Sequence, residues 1–202
     1  MQVGSKTGEL LECVRSFRLG SGRLPSGAEL RKIESLAWEL ENENPTPKLK
    51  DAFDRLAGMW ECIFTTSRFV LGLDRIPFVR VSAAYQRVIV DADGRTGHYF
   101  NIAELSRGGG VKCVCGEYAT VRPSEFDAVR LDVQYQSFYF ELRVSSAYEG
   151  HVAFADGLES GRNGGHLRLP FHQRGWQTTL YLSDRLRVVR GNQGGIFVMV
   201  KR

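Results

Sequence analysis

The strongest constraint in this sequence is a change of pattern near residue 60. From there on, short runs of β-branched and aromatic residues alternate with Gly, Asp and Pro, and no helical periodicity separates them. Asp93-Gly94 marks one tight hairpin, because Asp-Gly readily adopts positive φ angles. The predicted strands are 60–66, 84–91, 97–105, 111–121, 128–144, 177–182, 185–190 and 196–201. About eight strands with short connections favour an antiparallel sheet, either closed into a barrel or folded into a sandwich.

The residues before this change carry helical periodicity instead. A first apolar stripe, at positions 10, 11, 14 and 17, predicts a helix that ends at Gly20. Ser26 and Glu29 have the spacing of a capping box, so a second helix is predicted to begin there. Its apolar stripe ends before Pro45.

Thr46-Pro47 predicts a third, short helix. Thr supplies a hydroxyl N-cap and Pro suits the first helical position, while Gly58 is a natural end. We therefore expect a helical segment at 1–57 that packs on a β-barrel at 58–202, together forming a single domain.

Composition excludes several classes of protein. The chain of 202 residues is 43% hydrophobic, which is ample for a packed core and argues against disorder. No apolar run approaches the length of a transmembrane helix. Residues 1–12 lack the apolar centre of a secretory signal and do not resemble a transit peptide. Four cysteines without framework spacing favour a reducing compartment.

Positive charge is concentrated near the C-terminus. The net charge is +4, and residues 160–202 hold eight basic side chains against the single acidic residue Asp184. Such a region suits an anionic lipid surface, a nucleic acid or no partner at all.

No sequence motif indicates catalysis or a bound metal. Nucleotide-binding and nucleophile-elbow motifs are absent, and the four histidines are scattered. Cys113 and Cys115 share one face of a predicted strand, but a zinc site needs further ligands that the sequence does not supply. We expect no metal, no cofactor and no catalytic residue.

Gly58-Met59-Trp60 has the Gly-x-Trp signature of lipocalin-like barrels. In those barrels the Trp closes one end, and an arginine from a late strand packs across the indole, a contact of about 0.5–2 kcal/mol. Arg187 and Arg190 are the candidates for that arginine. Gly58, Trp60, Arg187 and Arg190 are thus expected to be structural.

Longer strings resemble the plastid lipid-associated protein/fibrillin family (PAP/fibrillin). They are LAWELENENPTP at 36–47, AGMW at 57–60 with FTTS at 64–67, AYQ at 84–86, and YLSDRLRVVRG at 181–191 with GIFV at 195–198. The resemblance covers essentially the whole chain.

This resemblance implies a mainly β, antiparallel lipocalin-like barrel of about eight strands after two to three N-terminal helices. It also implies non-enzymatic binding or organisation of small hydrophobic molecules or lipids, such as prenylquinones, carotenoids or acyl lipids, at thylakoid-type membranes of a photosynthetic organism. The expected location is cytoplasmic or thylakoid-associated in a cyanobacterium, or a plastid if a targeting segment has been removed.

Strand alternation suggests which side chains meet a ligand. The cavity candidates are Phe64, Tyr85, Phe100, Phe138, Phe140 and Leu142. Arg168, Arg174 and Arg185 are candidates for contact with an anionic membrane, since each basic side chain near it adds about 1 kcal/mol.

Three other functions stay open. An enzyme acting on an isoprenoid or fatty-acid derivative would need convergent polar groups in the barrel, drawn from His98, Glu117, Tyr118 and Tyr135. A closed barrel would leave a structural or partner-binding role. Nucleic acid is not expected, because Arg187 and Arg190 are assigned to the barrel itself. The sequence does not indicate an oligomeric state.

Overall fold

The computed structural model describes residues 5–73, 81–107, 111–143 and 167–202. Its eight strands form one closed antiparallel barrel, in which each strand pairs with the next and the last pairs with the first. The strands are β1 Gly58–Thr65, β2 Val81–Val90, β3 Gly97–Arg107, β4 Val111–Pro123, β5 Arg130–Arg143, β6 Leu167–Leu182, β7 Leu186–Gly191 and β8 Ile196–Lys201. The predicted fold class, an antiparallel eight-stranded barrel preceded by helices, is confirmed.

The described chain begins with two long helices, α1 at Lys6–Arg15 and α2 at Gly27–Glu41. The capping box of α2 is present as predicted: Ser26 Oγ accepts from the Glu29 amide at 3.3 Å, and Glu29 Oε2 accepts from the Ser26 amide at 2.8 Å. These two bonds satisfy amides that have no partner within the helix, and so they fix where α2 begins.

The predicted helix from Thr46 is wrong in its start and its length. The chain instead forms a 3₁₀ turn at Leu49–Asp51 and a short helix, α3, at Phe53–Leu56. Thr46 does not act as an N-cap, because its hydroxyl donates to the carbonyl of Leu182 at 2.9 Å and accepts from Arg55 Nη1 at 2.7 Å. A hydrogen bond to β6 and one from Arg55 of α3 have therefore replaced the predicted N-cap bond.

Two further features differ from expectation. A helix that was not predicted, α4 at Arg68–Leu73, follows β1. Strand β6 begins ten residues before the predicted start at Gln177. The sequence did not predict that extension because proline is rare inside strands. Pro170 pairs with Ser137, where the β5–β6 register shifts and the missing amide is tolerated.

The barrel buries a different cluster on each face. The helix-covered face packs α1 and α2 against the outside of β1, β6, β7 and β8, through Leu10, Val14, Ile33, Leu36, Leu40, Ile63, Phe64, Leu180, Val188 and Val198. The interior cluster lies inside the barrel with α3 beneath it, and includes Leu49, Phe53, Leu56, Trp60, Val88, Val121, Leu131, Val189 and Met199.

Trp60 lies at the base of the interior cluster and is fully buried. Its Nε1 donates to the carbonyl of Leu56 at 2.8 Å, which ties β1 to α3. Gly58 begins β1 with φ +118°, a conformation that side chains rarely adopt. Trp60 and α3 thus occupy one end of the barrel, which we call the closed end.

A cation that was not predicted lies beside Trp60. Lys201 Nζ lies 5.1 Å from the indole centroid. Arg190 points outward and covers Trp38 of α2, with 5.1 Å between its Cζ and that ring centroid. Arg187 points inward, and its Nη1 donates to Gln86, which pairs with Trp60 in the β1–β2 register. Alternation along β7 separates the two arginines, so the expectation for Arg190 is wrong, whereas a contact between Arg187 and Trp60 stays a prediction.

Candidate functional site

A partly open cavity of about 420 Å³ occupies the half of the barrel opposite the closed end. Its walls come from β2, β3, β5 and β6, and from the end of β1 with the first turn of α4. The β7–β8 turn, 191–195, completes the rim. This volume lies in the range of about 300–1,000 Å³ that is typical of sites for small molecules.

The cavity exists because small residues occupy inward positions in this half. Ala84, Ala103, Gly175 and Gly191 all line it, whereas bulky aliphatic and aromatic side chains fill the interior cluster at the closed end. Protein interiors pack densely, so a run of small inward residues leaves space that the main chain does not close.

A polar network forms the floor of the cavity. Gln86, Tyr99 and Gln177 line the cavity and are buried. Gln177 Nε2 donates to the Tyr99 hydroxyl at 2.9 Å, and Arg187 Nη1 donates to Gln86 Oε1 at 3.3 Å. We call these four residues the polar floor; it joins β2, β3, β6 and β7.

Arg187 is the one charged side chain that is fully buried among the described residues. Burial lowers the pKa of its guanidinium, while the neighbouring Tyr99 raises it. Burial raises the pKa of Tyr99, and the Arg187 charge partly offsets that effect. The floor therefore holds a cation beside a neutral phenol.

Higher in the cavity the lining is also polar and carries positive charge. Asn101 Nδ2 donates to the Tyr135 hydroxyl at 3.3 Å. Arg68, at the start of α4, lines the cavity. No Asp or Glu is found among the lining residues that the structure describes. Among the described lining residues, a ligand would thus meet donors and cations rather than carboxylates.

Cys62 lines the cavity but is not an activated nucleophile. Its thiol donates to the carbonyl of Phe64 at 3.3 Å, and burial raises its pKa to about 12. Since the thiolate is the reactive form, a buried neutral thiol of this kind is inert.

The predicted cavity residues are dispersed. Phe64 lies on the helix-covered face, because a register shift between Cys62 and Phe64 interrupts the alternation of β1. Phe100 is fully buried, but its strand neighbours Tyr99 and Asn101 line the cavity, which sets Phe100 on the opposite face.

The other four candidates divide into two cases. Tyr85 borders the cavity, yet alternation along β2 directs its ring away from Ala84 and Gln86, toward Glu61 of the paired strand. Burial, followed by the charges of Glu104 and Glu61, raises the pKa of Tyr85. Phe138, Phe140 and Leu142 belong to β5, and their side chains lie outside the described residues.

The residues considered for catalysis do not converge within the described part of the chain. His98 Nε2 is 3.4 Å from Asp91 Oδ1, beside the β2–β3 hairpin, while Tyr135 lines the cavity. The side chains of Glu117 and Tyr118 lie outside the described residues, as do those of Cys113 and Cys115.

The three arginines proposed for a membrane surface are not grouped. Arg174 is exposed on β6 between Gln173 and Gly175, which both line the cavity. Arg185 is exposed in the β6–β7 turn, beyond the end of β6 at Leu182, and so at the closed end. With about 3.3 Å per strand residue, roughly 25 Å separates them. The side chain of Arg168 lies outside the described residues.

Sequence reasoning missed the polar floor. Gln86 follows Ala84 and precedes Val88 at strand spacing, so a polar residue on an otherwise apolar inward face was a usable signal. Tyr99 and Gln177 carried no such signal, because their contact joins positions 78 residues apart.

Comparison with known proteins gives a family match. The PAP_fibrillin family model matches residues 6–200. No curated protein and no solved structure matches the chain significantly. Among the helices that the structure describes, none is long and apolar enough to cross a membrane.

Proposed function

The chain belongs to the PAP/fibrillin family, a generally non-enzymatic family of lipid-associated proteins, and we propose that it binds a small hydrophobic molecule or lipid inside its barrel. The ligand classes are those of the family, namely prenylquinones, carotenoids and acyl lipids. We propose further that the chain does so without catalysis, at a thylakoid-type membrane.

This proposal rests mainly on the cavity of about 420 Å³. A barrel packed shut would serve as a structural or partner-binding protein. A barrel with one open half and small inward residues has room for a ligand. Each 100 Å² of apolar ligand surface removed from water contributes about 2.5 kcal/mol. The lining supplies a few polar groups that can orient the guest.

Filling the cavity tests this proposal. Ala84 lines the cavity and Ala83 does not, so Ala84→Phe and Ala83→Phe place the same ring on opposite faces of β2. We expect Ala84→Phe to weaken binding of the neutral dye diphenylhexatriene at least tenfold, and Ala83→Phe to leave it near wild type. Fluorescence titration measures both, with circular dichroism as a check on folding. Equal binding by the three proteins would place the dye outside the cavity.

The surface around the mouth of the cavity is suited to a lipid interface. Trp176 and Leu169 are exposed large hydrophobic residues on β6, with 37% and 45% of their surface accessible. Arg174 lies between them on the same strand. Arg130, which forms an ion pair with Asp132 at 2.8 Å, covers Trp176 at 5.0 Å from the ring centroid. Aromatic and basic side chains together favour the headgroup region of an anionic membrane. Docking by this end would let a ligand enter from the lipid.

Arg174 and Arg185 provide a matched pair for the membrane proposal, since both are exposed but lie at opposite ends. We expect Arg174→Gln to weaken flotation with phosphatidylglycerol vesicles about fivefold, in line with about 1 kcal/mol per basic side chain. Arg185→Gln should bind as wild type does. Flotation that is insensitive to Arg174, or to added salt, would contradict docking through the cavity end.

A further inference from the structure

Arg187 is buried with most of its hydrogen-bonding capacity unused. Nη1 donates to Gln86, but Nε and Nη2 have no partner among the described residues. Buried donors are nearly always paired, and a buried cation without a counter-charge is especially costly. The Tyr99 hydroxyl interacts with this guanidinium but is a neutral acceptor. The described residues supply no negatively charged acceptor for it.

The two unpaired donors have a specific geometry. Nε and Nη2 lie on one edge of the planar guanidinium, and their N–H bonds point the same way. This edge matches the two oxygens of a carboxylate, which accept two parallel hydrogen bonds from it. Gln86 occupies Nη1 and leaves that edge unoccupied.

Arg187 lies directly beneath the cavity. Its hydrogen-bond partner Gln86 lines the cavity, as does Tyr99, whose pKa responds to the Arg187 charge. Gln177, bonded to Tyr99, completes the same layer. One layer of amide and phenol side chains therefore separates the cation from the space in which a ligand would lie.

Among the described residues near Arg187, the carboxylate of Glu61 is committed elsewhere. Glu61, on β1, has 12% of its side chain accessible and forms ion pairs with Arg18 and Arg202 on the outer face. The described lining contains no Asp or Glu and includes a second cation, Arg68. The electrostatic balance of the described lining thus favours an anion.

We propose that the polar floor recognises the carboxylate of an acidic amphiphile, with the Nε and Nη2 edge of Arg187 as the principal donor and the apolar tail extending toward the β7–β8 turn. This inference rests on the proposed function and narrows its ligand class to a long-chain carboxylic acid. For the ligand carboxylate to reach the guanidinium of Arg187, the side chains of Gln86 and Tyr99 must move apart. A single arginine fork with neutral neighbours suits a monoanionic carboxylate better than a doubly charged phosphate.

The test compares dodecanoate with dodecanol, which have tails of equal length and differ in the head group. Isothermal titration of the wild-type protein at pH 8 should give binding of dodecanoate at least tenfold tighter than that of dodecanol. Equal affinity would overturn the role of the floor while leaving lipid binding intact. Binding of neither probe would contradict the proposed function itself.

Two variants test whether Arg187 causes the preference for dodecanoate over dodecanol. Arg187→Met should lower the affinity for dodecanoate to that for dodecanol, and the affinity for dodecanol should stay unchanged. Arg190→Met, on the outer face over Trp38, should keep the preference in full. If Arg187→Met retains the preference, the assignment is wrong.

A third variant keeps the test independent of the folding of Arg187→Met. Arg187→Lys keeps a positive charge at this position but lacks the paired Nε and Nη2 donors, so the preference for the acid should fall below that of wild type. Full retention of the preference in folded Arg187→Lys would contradict recognition by the Nε and Nη2 edge.

Discussion

The two ends of the barrel are built from the same eight strands but are filled differently. At the closed end, Trp60 and α3 pack with aliphatic side chains of the interior cluster, and Lys201 covers the indole. At the other end, Ala84, Ala103 and Gly175 leave a cavity above a polar floor. One end is therefore densely packed, and the other leaves space that the proposed ligand would occupy.

The largest effect is expected at the closed end. Trp60→Ala removes a fully buried side chain and its hydrogen bond to Leu56, so it should lower the free energy of unfolding by about 3–5 kcal/mol. Phe197→Ala, at the cavity wall, should cost less than half as much because its ring is only partly buried. Urea unfolding of the two variants measures the difference. Equal losses would mean that the ends are equally packed.

An effect of opposite sign is expected at the polar floor. Arg187→Met replaces a buried cation that has no counter-charge with an apolar side chain of similar length. In ligand-free protein this should raise the free energy of unfolding by about 1–2 kcal/mol, since apolar replacement of a poorly compensated buried charge commonly stabilises. Thermal and urea unfolding of delipidated protein provide the measurement. Destabilisation comparable to that of Trp60→Ala would show that Arg187 is part of the structural core.

A smaller effect is expected from Cys62, between the two ends. Its pKa is raised from an ordinary 9.0 to about 12, so the unfolded chain releases this proton more readily than the folded one. The corresponding stability is fully present below pH 9 and is lost as pH rises toward 12. From pH 8 to pH 10 the loss should be about 1 kcal/mol.

Cys62→Ala should remove that part of the pH dependence, whereas Cys13→Ala, at a half-buried thiol on α1, should retain it. Urea unfolding at the two pH values provides the comparison. An unchanged slope in Cys62→Ala would contradict a buried neutral thiol.

Sequence reasoning succeeded where structure is determined locally. The α2 capping box and the Asp93-Gly94 hairpin were predicted from adjacent residues, and Gly94 has the positive φ of +67° expected there. Strand runs without intervening helices indicated an antiparallel sheet, and the family resemblance favoured a barrel over a sandwich. These features depend on a few neighbouring side chains.

The misplaced features depend on distant contacts. Thr46 donates a hydrogen bond to Leu182, 136 residues away, and this contact explains why the third helix differs from the prediction. Phe64 lies on the helix-covered face because of one register shift in β1, and strand alternation alone does not predict such a shift. The polar floor joins four strands, and closure of the barrel brings its members together. Long-range pairing therefore accounts for what the sequence alone did not reveal.

Native mass spectrometry, followed by organic extraction, tests the central claim most directly. The protein would be purified from a photosynthetic host as wild type and as Ala84→Phe and Ala83→Phe. We predict a co-purifying hydrophobic molecule at near-unit stoichiometry in wild type and Ala83→Phe, and its loss from Ala84→Phe. A wild-type protein without ligand, or equal retention by all three, would contradict binding inside the barrel.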